Sequence, residues 1–239
     1  MSSLDDILLR LEAISLLRRL KKYYKYRELG NYFRLDIPLL SKYVRGKLLP
    51  GKRRAEEIIH KALEILNIES EIKKCINQGV YNYPELMNLS ASSPDTLLYI
   101  AIQAYKLYKK SNITKILSVE GGGLLIASPI AILLDKSLIY ALRDQYIKDA
   151  VIEPYFPTNV AMKYTKFIAL PRNSLSSKDK ILVVDDIIWS GATVIALLNI
   201  ARKLASEVMG VFCVGVSSKK IVENIERNYG VKVSYLTMV

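Results

Sequence analysis

The chain has 239 residues and is 51% hydrophobic, enough for one large domain or two small ones around a buried core. No apolar run reaches the roughly 18 residues that a membrane-spanning helix needs. Ser2, Ser3, Asp5 and Asp6 at the start do not make a signal peptide, so a soluble cytoplasmic protein with no membrane partner is the expectation. The formal charge of +12 is concentrated in one block: Arg10 to Arg54 carries 14 Lys or Arg against three acids, while residues 55–239 carry 21 basic and 18 acidic residues. Such a block points to a polyanion-binding module joined to an ordinary globular domain.

In chain order, Ile7, Leu8, Leu11, Ile14, Leu17 and Leu20 recur at helical spacing. A second helix is predicted over Tyr26 to Phe33 and a third over Ile37 to Val44. Asp36 is the candidate N-cap of the third, and Pro38 sits in its first turn, where a missing N–H is harmless. Gly46, Pro50 and Gly51 interrupt the chain before a fourth helix over Arg53–Leu66 and a fifth over Glu69–Asn77. His60, the one histidine, follows Ile59 in the fourth helix and is expected to face solvent. Gly79, Pro84, several serines and Pro94 mark a junction over 79–94, dividing the chain into 1–78 and 79–239.

Pro94 and Asp95 open a helix that ends near Lys110. Then come a strand over Ile113–Val119, a turn at Gly121–Gly123, a buried helix over Leu124–Leu134 and a strand over Ser137–Leu142. The stretch Asp144–Lys163, polar with two prolines, reads as irregular. Strands follow at Phe167–Leu170 and Ile181–Val184, a helix at Thr193–Ala205, a strand at Val208–Val216, a helix at Lys219–Tyr229 and a last strand at Val231–Met238. Strands alternating with helices predict an α/β fold, a doubly wound and mainly parallel sheet, behind an all-helical N-terminal region. Cys75 and Cys213 match no metal spacing, and Cys213 lies in an apolar run as a core residue. With one histidine there is no Ser-His-Asp triad or His-based metal site to propose.

The chemistry is densest at Ile181-Leu182-Val183-Val184-Asp185-Asp186-Ile187-Ile188-Trp189-Ser190-Gly191-Ala192-Thr193. An apolar strand ends in two carboxylates, and a loop leads into a helix. Open α/β sheets bind ligands beyond the carboxyl ends of their strands, and a helix N-terminus offers N–H groups and a favourable dipole to phosphate. Gly191 lets the backbone approach closely, while Ser190 and Thr193 add hydroxyls. Asp185 and Asp186 are placed to accept hydrogen bonds from sugar hydroxyls, directly or through magnesium and its waters.

This segment resembles the phosphoribosyl pyrophosphate motif of type I phosphoribosyltransferases over all 13 positions. Trp189 departs from it, standing where the family has a small or polar residue. Its indole either covers the sugar or a base, or packs at a subunit interface. Ser118-Val119-Glu120-Gly121-Gly122-Gly123 resembles the family's pyrophosphate loop, where the family often uses a cis peptide, and Arg143 matches a basic position near the pyrophosphate. The resemblance covers roughly residues 85–239. It implies binding of phosphoribosyl pyrophosphate or a nucleotide, magnesium carried with the ligand, and a homodimer. Orotate enzymes of the family carry several lysines after the arginine; here Asp144, Gln145 and Tyr146 follow it, with Lys148 and Lys163 further on. That departure favours ligand sensing over turnover.

Residues 26–46 resemble a helix-turn-helix of the lambda-repressor kind. Gly30 takes the close crossing, and Leu29, Phe33, Leu35, Leu40 and Val44 form its core. By that resemblance Ile37, Pro38, Ser41 and Lys42 face the major groove of double-stranded DNA, and Arg27, Arg45, Lys47, Lys52, Arg53 and Arg54 meet phosphates. The two regions together resemble PurR-type regulators of bacteria and archaeal regulators of the same design. The expectation is therefore a DNA-binding transcriptional regulator of purine or pyrimidine nucleotide metabolism. The alternative is an active purine or orotate phosphoribosyltransferase with an extra basic N-terminal domain.

Overall fold

A computed structural model describes residues 3–66, 70, 94–143, 147–156 and 165–238. Helices α1 (Ser3–Tyr23), α2 (Tyr26–Phe33), α3 (Ile37–Val44) and α4 (Lys52–Ile65) come first, followed after the undescribed stretch by α5 (Pro94–Tyr108). The rest alternates: β1 (Lys115–Val119), α6 (Gly122–Leu134), β2 (Ser137–Ala141), β3 (Ala150–Tyr155), β4 (Lys166–Pro171), a 3-10 turn (Arg172–Ser174), β5 (Lys180–Ile188), α7 (Ala192–Lys203), β6 (Glu207–Val216), α8 (Lys219–Tyr229) and β7 (Val233–Met238). The helix expected over 69–77 and the junction over 79–94 fall largely outside the described residues.

Five strands form one parallel sheet in the order β2-β1-β5-β6-β7. The β1–α6–β2 unit extends the sheet one way and β5–α7–β6 extends it the other, so the strand order reverses between β1 and β5. That switch point opens a crevice at the carboxyl ends of these two strands, where α/β sheets place ligands. Successive β5 residues point to opposite faces. Leu182 and Val184 join the core with Ile126, Ile130, Phe212 and Val214, and Ile181 and Val183 join the opposite core with Leu197, Ile200 and Val211. Cys213 is fully buried in the second core, and His60 is largely exposed.

Two departures from expectation bear on the site. Residues 150–155, expected to be irregular, form β3, paired antiparallel with β4 in a separate two-stranded ribbon. The alternating burial of Val151, Glu153 and Tyr155 marks a strand, but Pro154 and the polar surroundings hide it from a sequence reading. Proline is tolerated in such an edge strand. Strand β5 also continues past Val184 to Ile188, carrying the acid pair within it.

The N-terminal helices share a core with the sheet region. Leu16, Leu17 and Leu20 of α1 pack with Leu29, Phe33, Leu40 and Ile58, and with Ile100, Ala101 and Ala104 of α5. Gly30 sits where a Cβ would lie 3.0 Å from the Leu35 carbonyl oxygen, so the close turn between α2 and α3 leaves little room for a side chain. Asp36 is the N-cap of α3 by backbone position, without a side-chain capping bond.

Polar contacts also join α1 to α5. The Glu12 carboxylate, 1% exposed, accepts from Lys106 Nζ at 2.7 Å and from Gln103 Nε2 at 2.8 Å. Arg19, 3% exposed, donates to Thr96 Oγ1 at 2.7 Å, and Ser15 donates to the Asp95 carbonyl at 2.7 Å. A buried charge left without its partner is costly. Lys106→Ala is therefore expected to lower unfolding stability by about 1–3 kcal/mol. Glu12→Gln should cost less, because an amide can keep some of the network. Urea denaturation measures both, and an unchanged midpoint for Lys106→Ala would show that this ion pair does not anchor α1.

Candidate functional site

The crevice between β1 and β5 brings together the two glycine-containing motifs. Asp185 and Asp186 lie near the end of β5; Asp185 is buried and Asp186 half-buried. The Asp186 N–H donates to Asp185 Oδ1 at 3.0 Å, and the Ile187 N–H donates to Asp186 Oδ1 at 2.7 Å, fixing both carboxylates. Across the crevice, α6 starts at Gly122. A Cβ there would lie 1.9 Å from Asp186 Oδ2, and one on Gly123 would lie 2.7 Å from Asp185 Oδ1 and 2.9 Å from Ser118 Oγ. Only hydrogen atoms fit between this loop and the acid pair. Ser118 Oγ donates to the Val184 carbonyl at 2.8 Å, clamping β1 to β5 beneath the acids.

Gly121 has φ 110° and ψ −139°, a conformation that L side chains rarely adopt, and it turns the chain from β1 into α6. The described residues contain no cis peptide, so the peptides of this loop are trans.

Burial pushes the Asp185 carboxyl well above its usual range, and the neighbouring Asp186 charge adds to the rise. Burial also raises Asp186, against hydrogen bonds that favour its ionised form. Arg143 favours ionisation of both acids. The adjacent carboxylates of Asp185 and Asp186 thus form an acceptor pair that gains from any hydrogen-bond donor brought to it. No group of three or more metal-binding side chains occurs among the described residues.

The loop after β5 runs through half-buried Trp189 and Ser190 to Gly191, which has φ 81° and is the N-cap of α7. Ser190 Oγ accepts from the Ala192 N–H at 3.4 Å, and the Trp189 carbonyl accepts from Ser217 Oγ at 2.5 Å. Ala192 and Thr193 lie in the first turn of α7, where backbone N–H groups lack intrahelical acceptors. Trp189 packs against the core that contains Ile187 and Val214. Buried Ile187 and Ile188 point into opposite cores.

Arg143 stands beyond β2. Its N–H donates to Glu120 Oε2 and its Nε to the Glu120 carbonyl, each at 3.0 Å, and its guanidinium donates to the Tyr155 hydroxyl. Sequence reasoning misses Tyr155 because it lies in the stretch that reads as irregular. The alternation Val151, Glu153, Tyr155 is the signal that could have found it.

The residues expected to contact DNA lie apart from this crevice. Arg27, Ile37, Pro38, Lys42, Arg45, Lys47, Lys52 and Arg53 are exposed, and Ser41 and Arg54 are half-buried. Some of the basic block is engaged within the chain. Arg10 pairs with Asp6 at 2.6 Å, Arg18 donates to the Val44 carbonyl at 2.8 Å, Arg19 is buried on Thr96, and Arg53 and Arg54 pair with Glu57 at 3.4 and 2.8 Å. No helix among the described residues is long and apolar enough to cross a membrane.

Residues 94–233 match the family model described as phosphoribosyl transferase domain. The hypoxanthine/guanine phosphoribosyltransferase of Methanocaldococcus infernus is 26% identical over 179 residues, covering 73% of this chain and 94% of that protein. The adenine phosphoribosyltransferase of Blochmanniella pennsylvanica is 29% identical over 146 residues, covering 57% of this chain and 76% of that protein. Among solved structures, adenine phosphoribosyltransferase from Thermoanaerobacter pseudethanolicus superposes with a TM-score of 0.55 at 14% identity, over 63% of this chain and 84% of that one. The Trypanosoma brucei enzyme in complex with AMP, pyrophosphate and ribose-5-phosphate gives 0.55 at 20% identity, over 62% of this chain and 66% of that one. These likenesses establish the expected type I fold. The sequence relatives overturn the expectation of a DNA-binding regulator, because they are purine phosphoribosyltransferases. The basic block misled because charge alone does not name a partner: Arg19 is buried within the fold, while Arg27, Lys42, Arg45, Lys47 and Lys52 are exposed, and exposed cations do not by themselves make a DNA surface. The missing lysine pattern misled because it is a feature of orotate enzymes, whereas these relatives act on purines.

Proposed function

The chain belongs to the phosphoribosyl transferase domain family, and on that premise we propose that it is a purine phosphoribosyltransferase. It joins the 5-phosphoribosyl group of phosphoribosyl pyrophosphate to a purine base. The base nitrogen N9 forms a bond to C1′ of the ribose as the C1′–O bond to pyrophosphate breaks. The bonding pair leaves with pyrophosphate, and the N9 proton passes to solvent. The observation that carries this reading is the contact of Gly122 and Gly123 with Asp186 and Asp185 at the switch point. The choice of a purine rests on the names of the relatives.

In this reading Asp185 and Asp186 accept hydrogen bonds from the ribose hydroxyls. The loop Ile187–Thr193, with Ser190, Gly191, Ala192 and Thr193 at the start of α7, receives the 5-phosphate on backbone N–H groups and hydroxyls. Glu120 and Gly121–Gly123 border the pyrophosphate, and Arg143 faces its charge. The all-oxygen donor set of the acid pair suits a hard divalent cation. Magnesium carried by the ligand would be held by Asp185 and Asp186 together with the ligand's own oxygens and water, and would supply neutralising charge for the departing pyrophosphate. A helical domain over residues 1–78 and a ligand domain over residues 79–239 remain the proposed division. Exposed Ile132 on α6 and Tyr140 on the edge strand β2 leave an apolar margin for pairing with a second copy.

The test is release of pyrophosphate from phosphoribosyl pyrophosphate on addition of hypoxanthine, guanine or adenine in turn, with orotate as control. Release with at least one purine and none with orotate is expected. Release with none of them, alongside tight binding of phosphoribosyl pyrophosphate, would remove the enzyme reading.

A further inference from the structure

We propose that Tyr155 is a positioning residue that holds the Arg143 guanidinium at the pyrophosphate side of the crevice, away from the acid pair. This inference rests on the reading of the crevice as a phosphoribosyl pyrophosphate site.

The need for such a device follows from charge. Arg143 is the cation whose field reaches both Asp185 and Asp186. An arginine near two adjacent carboxylates has a strong tendency to form a bidentate pair with them. Such a pair would occupy the acceptor atoms meant for ribose hydroxyls. The close contacts of Arg143 are instead with Glu120 and Tyr155. Its main-chain N–H and Nε are both fastened to Glu120, the residue that precedes the Gly121 turn. Its guanidinium donates to the Tyr155 hydroxyl and lies 5.7 Å from the centre of the Tyr155 ring. The hydroxyl, at the edge of the ring, is thus the contact that holds the cation. A guanidinium has five N–H donors; those not used by Glu120 and Tyr155 remain for an anion.

Tyr155 can serve as a fixed point because its strand is anchored on several sides. It is 5% exposed and lies opposite Lys166 in the β3–β4 ribbon. Leu142 and Ala169 exchange two main-chain hydrogen bonds of 2.9 Å, tying β4 to the segment that carries Arg143. Glu153, two residues before Tyr155, pairs with Lys203 at the end of α7 at 2.5 Å. The ribbon therefore links α7, whose start borders the 5-phosphate loop, to the arginine at the other end of the crevice.

The experiment compares the full chain with Tyr155→Phe and Tyr155→Leu. Calorimetry measures the binding of inorganic pyrophosphate and of a purine nucleoside monophosphate, and steady-state assays measure KM for each substrate. Losing a hydrogen bond to a charged group predicts that Tyr155→Phe weakens pyrophosphate by about tenfold, with the monophosphate changed less than about twofold. Tyr155→Leu should weaken pyrophosphate further. KM for phosphoribosyl pyrophosphate should rise while KM for the base stays constant. In an Arg143→Ala background, Tyr155→Phe should add nothing further. Unchanged pyrophosphate affinity in Tyr155→Phe, or equal weakening of pyrophosphate and monophosphate, overturns the positioning role. A wild-type chain that binds neither ligand overturns the site reading itself, and the inference with it.

Discussion

Replacing Asp185 and Asp186 together by asparagine is expected to abolish measurable binding of phosphoribosyl pyrophosphate while leaving the chain folded. Each carboxylate accepts as a charged group, and a hydrogen bond to a charged group contributes about 1.5–3 kcal/mol. Loss of two corresponds to roughly 10²–10⁴-fold in affinity. The stability effect has the opposite sign. Burial raises both carboxyls above their ordinary range, and mutual repulsion adds to the rise at Asp185, so the folded chain binds these protons more tightly than the unfolded chain. The pair's protonation therefore adds stability at low pH, and that contribution is lost as pH rises through the pair's elevated folded pKa. The two acids titrate as a unit. Asparagine carries no such cost, so the ligand-free double variant should be at least as resistant to urea as the wild type at neutral pH. Its stability should also lack the decline with rising pH that the wild type shows above the ordinary carboxylate range. Calorimetric titration and urea curves at several pH values measure both effects. Retained affinity would remove the acid pair from the ligand site.

The second large effect is expected at the glycines facing that pair, and the two positions should differ in kind. A methyl on Gly122 would overlap Asp186 Oδ2 and lie 2.7 Å from its Cγ and 3.3 Å from its Cβ, all side-chain atoms. The Asp186 side chain must swing about its Cα–Cβ bond to clear it, giving up the bond from the Ile187 N–H. Gly122→Ala should therefore lower kcat/KM by about 10–100-fold, the scale of one displaced charge-assisted hydrogen bond, with little change in unfolding. A methyl on Gly123 would meet Asp185 Oδ1, Ser118 Oγ and, at 3.3 Å, the Asp185 Cα. That position cannot yield without moving β5 against β1. Gly123→Ala should destabilise the fold by about 1–3 kcal/mol, as overpacking does, and lower activity as a consequence. Equal loss of activity and stability at both positions would mean that Asp186 is held more rigidly than its contacts imply.

Asp185 and Asp186 stand out in the amino-acid sequence alone, because a four-residue apolar run followed by two acids and a Ser-Gly-Ala-Thr turn is a local pattern with a local cause. Helices α2, α3 and α8 are also legible to the residue, since amphipathic spacing and flanking breakers act within a few turns. β3 is not. Its partner β4 lies across a connection of several residues, and Pro154 masks its two-residue alternation. The reach of β5 past Val184 to Ile188 is likewise hidden, because polar acids end an apolar pattern even where backbone pairing with β6 continues.

The alternation of strands and helices, the loop that enters α7, the glycines before α6 and the block of positive charge are local properties, each written in a short stretch of amino acids. The assembled fold settles which of these meet. It brought Gly122 and Gly123 against an acid pair more than sixty positions later, placed Tyr155 on Arg143, and engaged Arg18 and Arg19 with α3 and α5 inside the chain. The physical reason is that backbone periodicity and capping are short-range. The order of strands in a sheet, and the partner of each buried charge, are set by burial and pairing across the whole chain, which no single stretch of sequence carries.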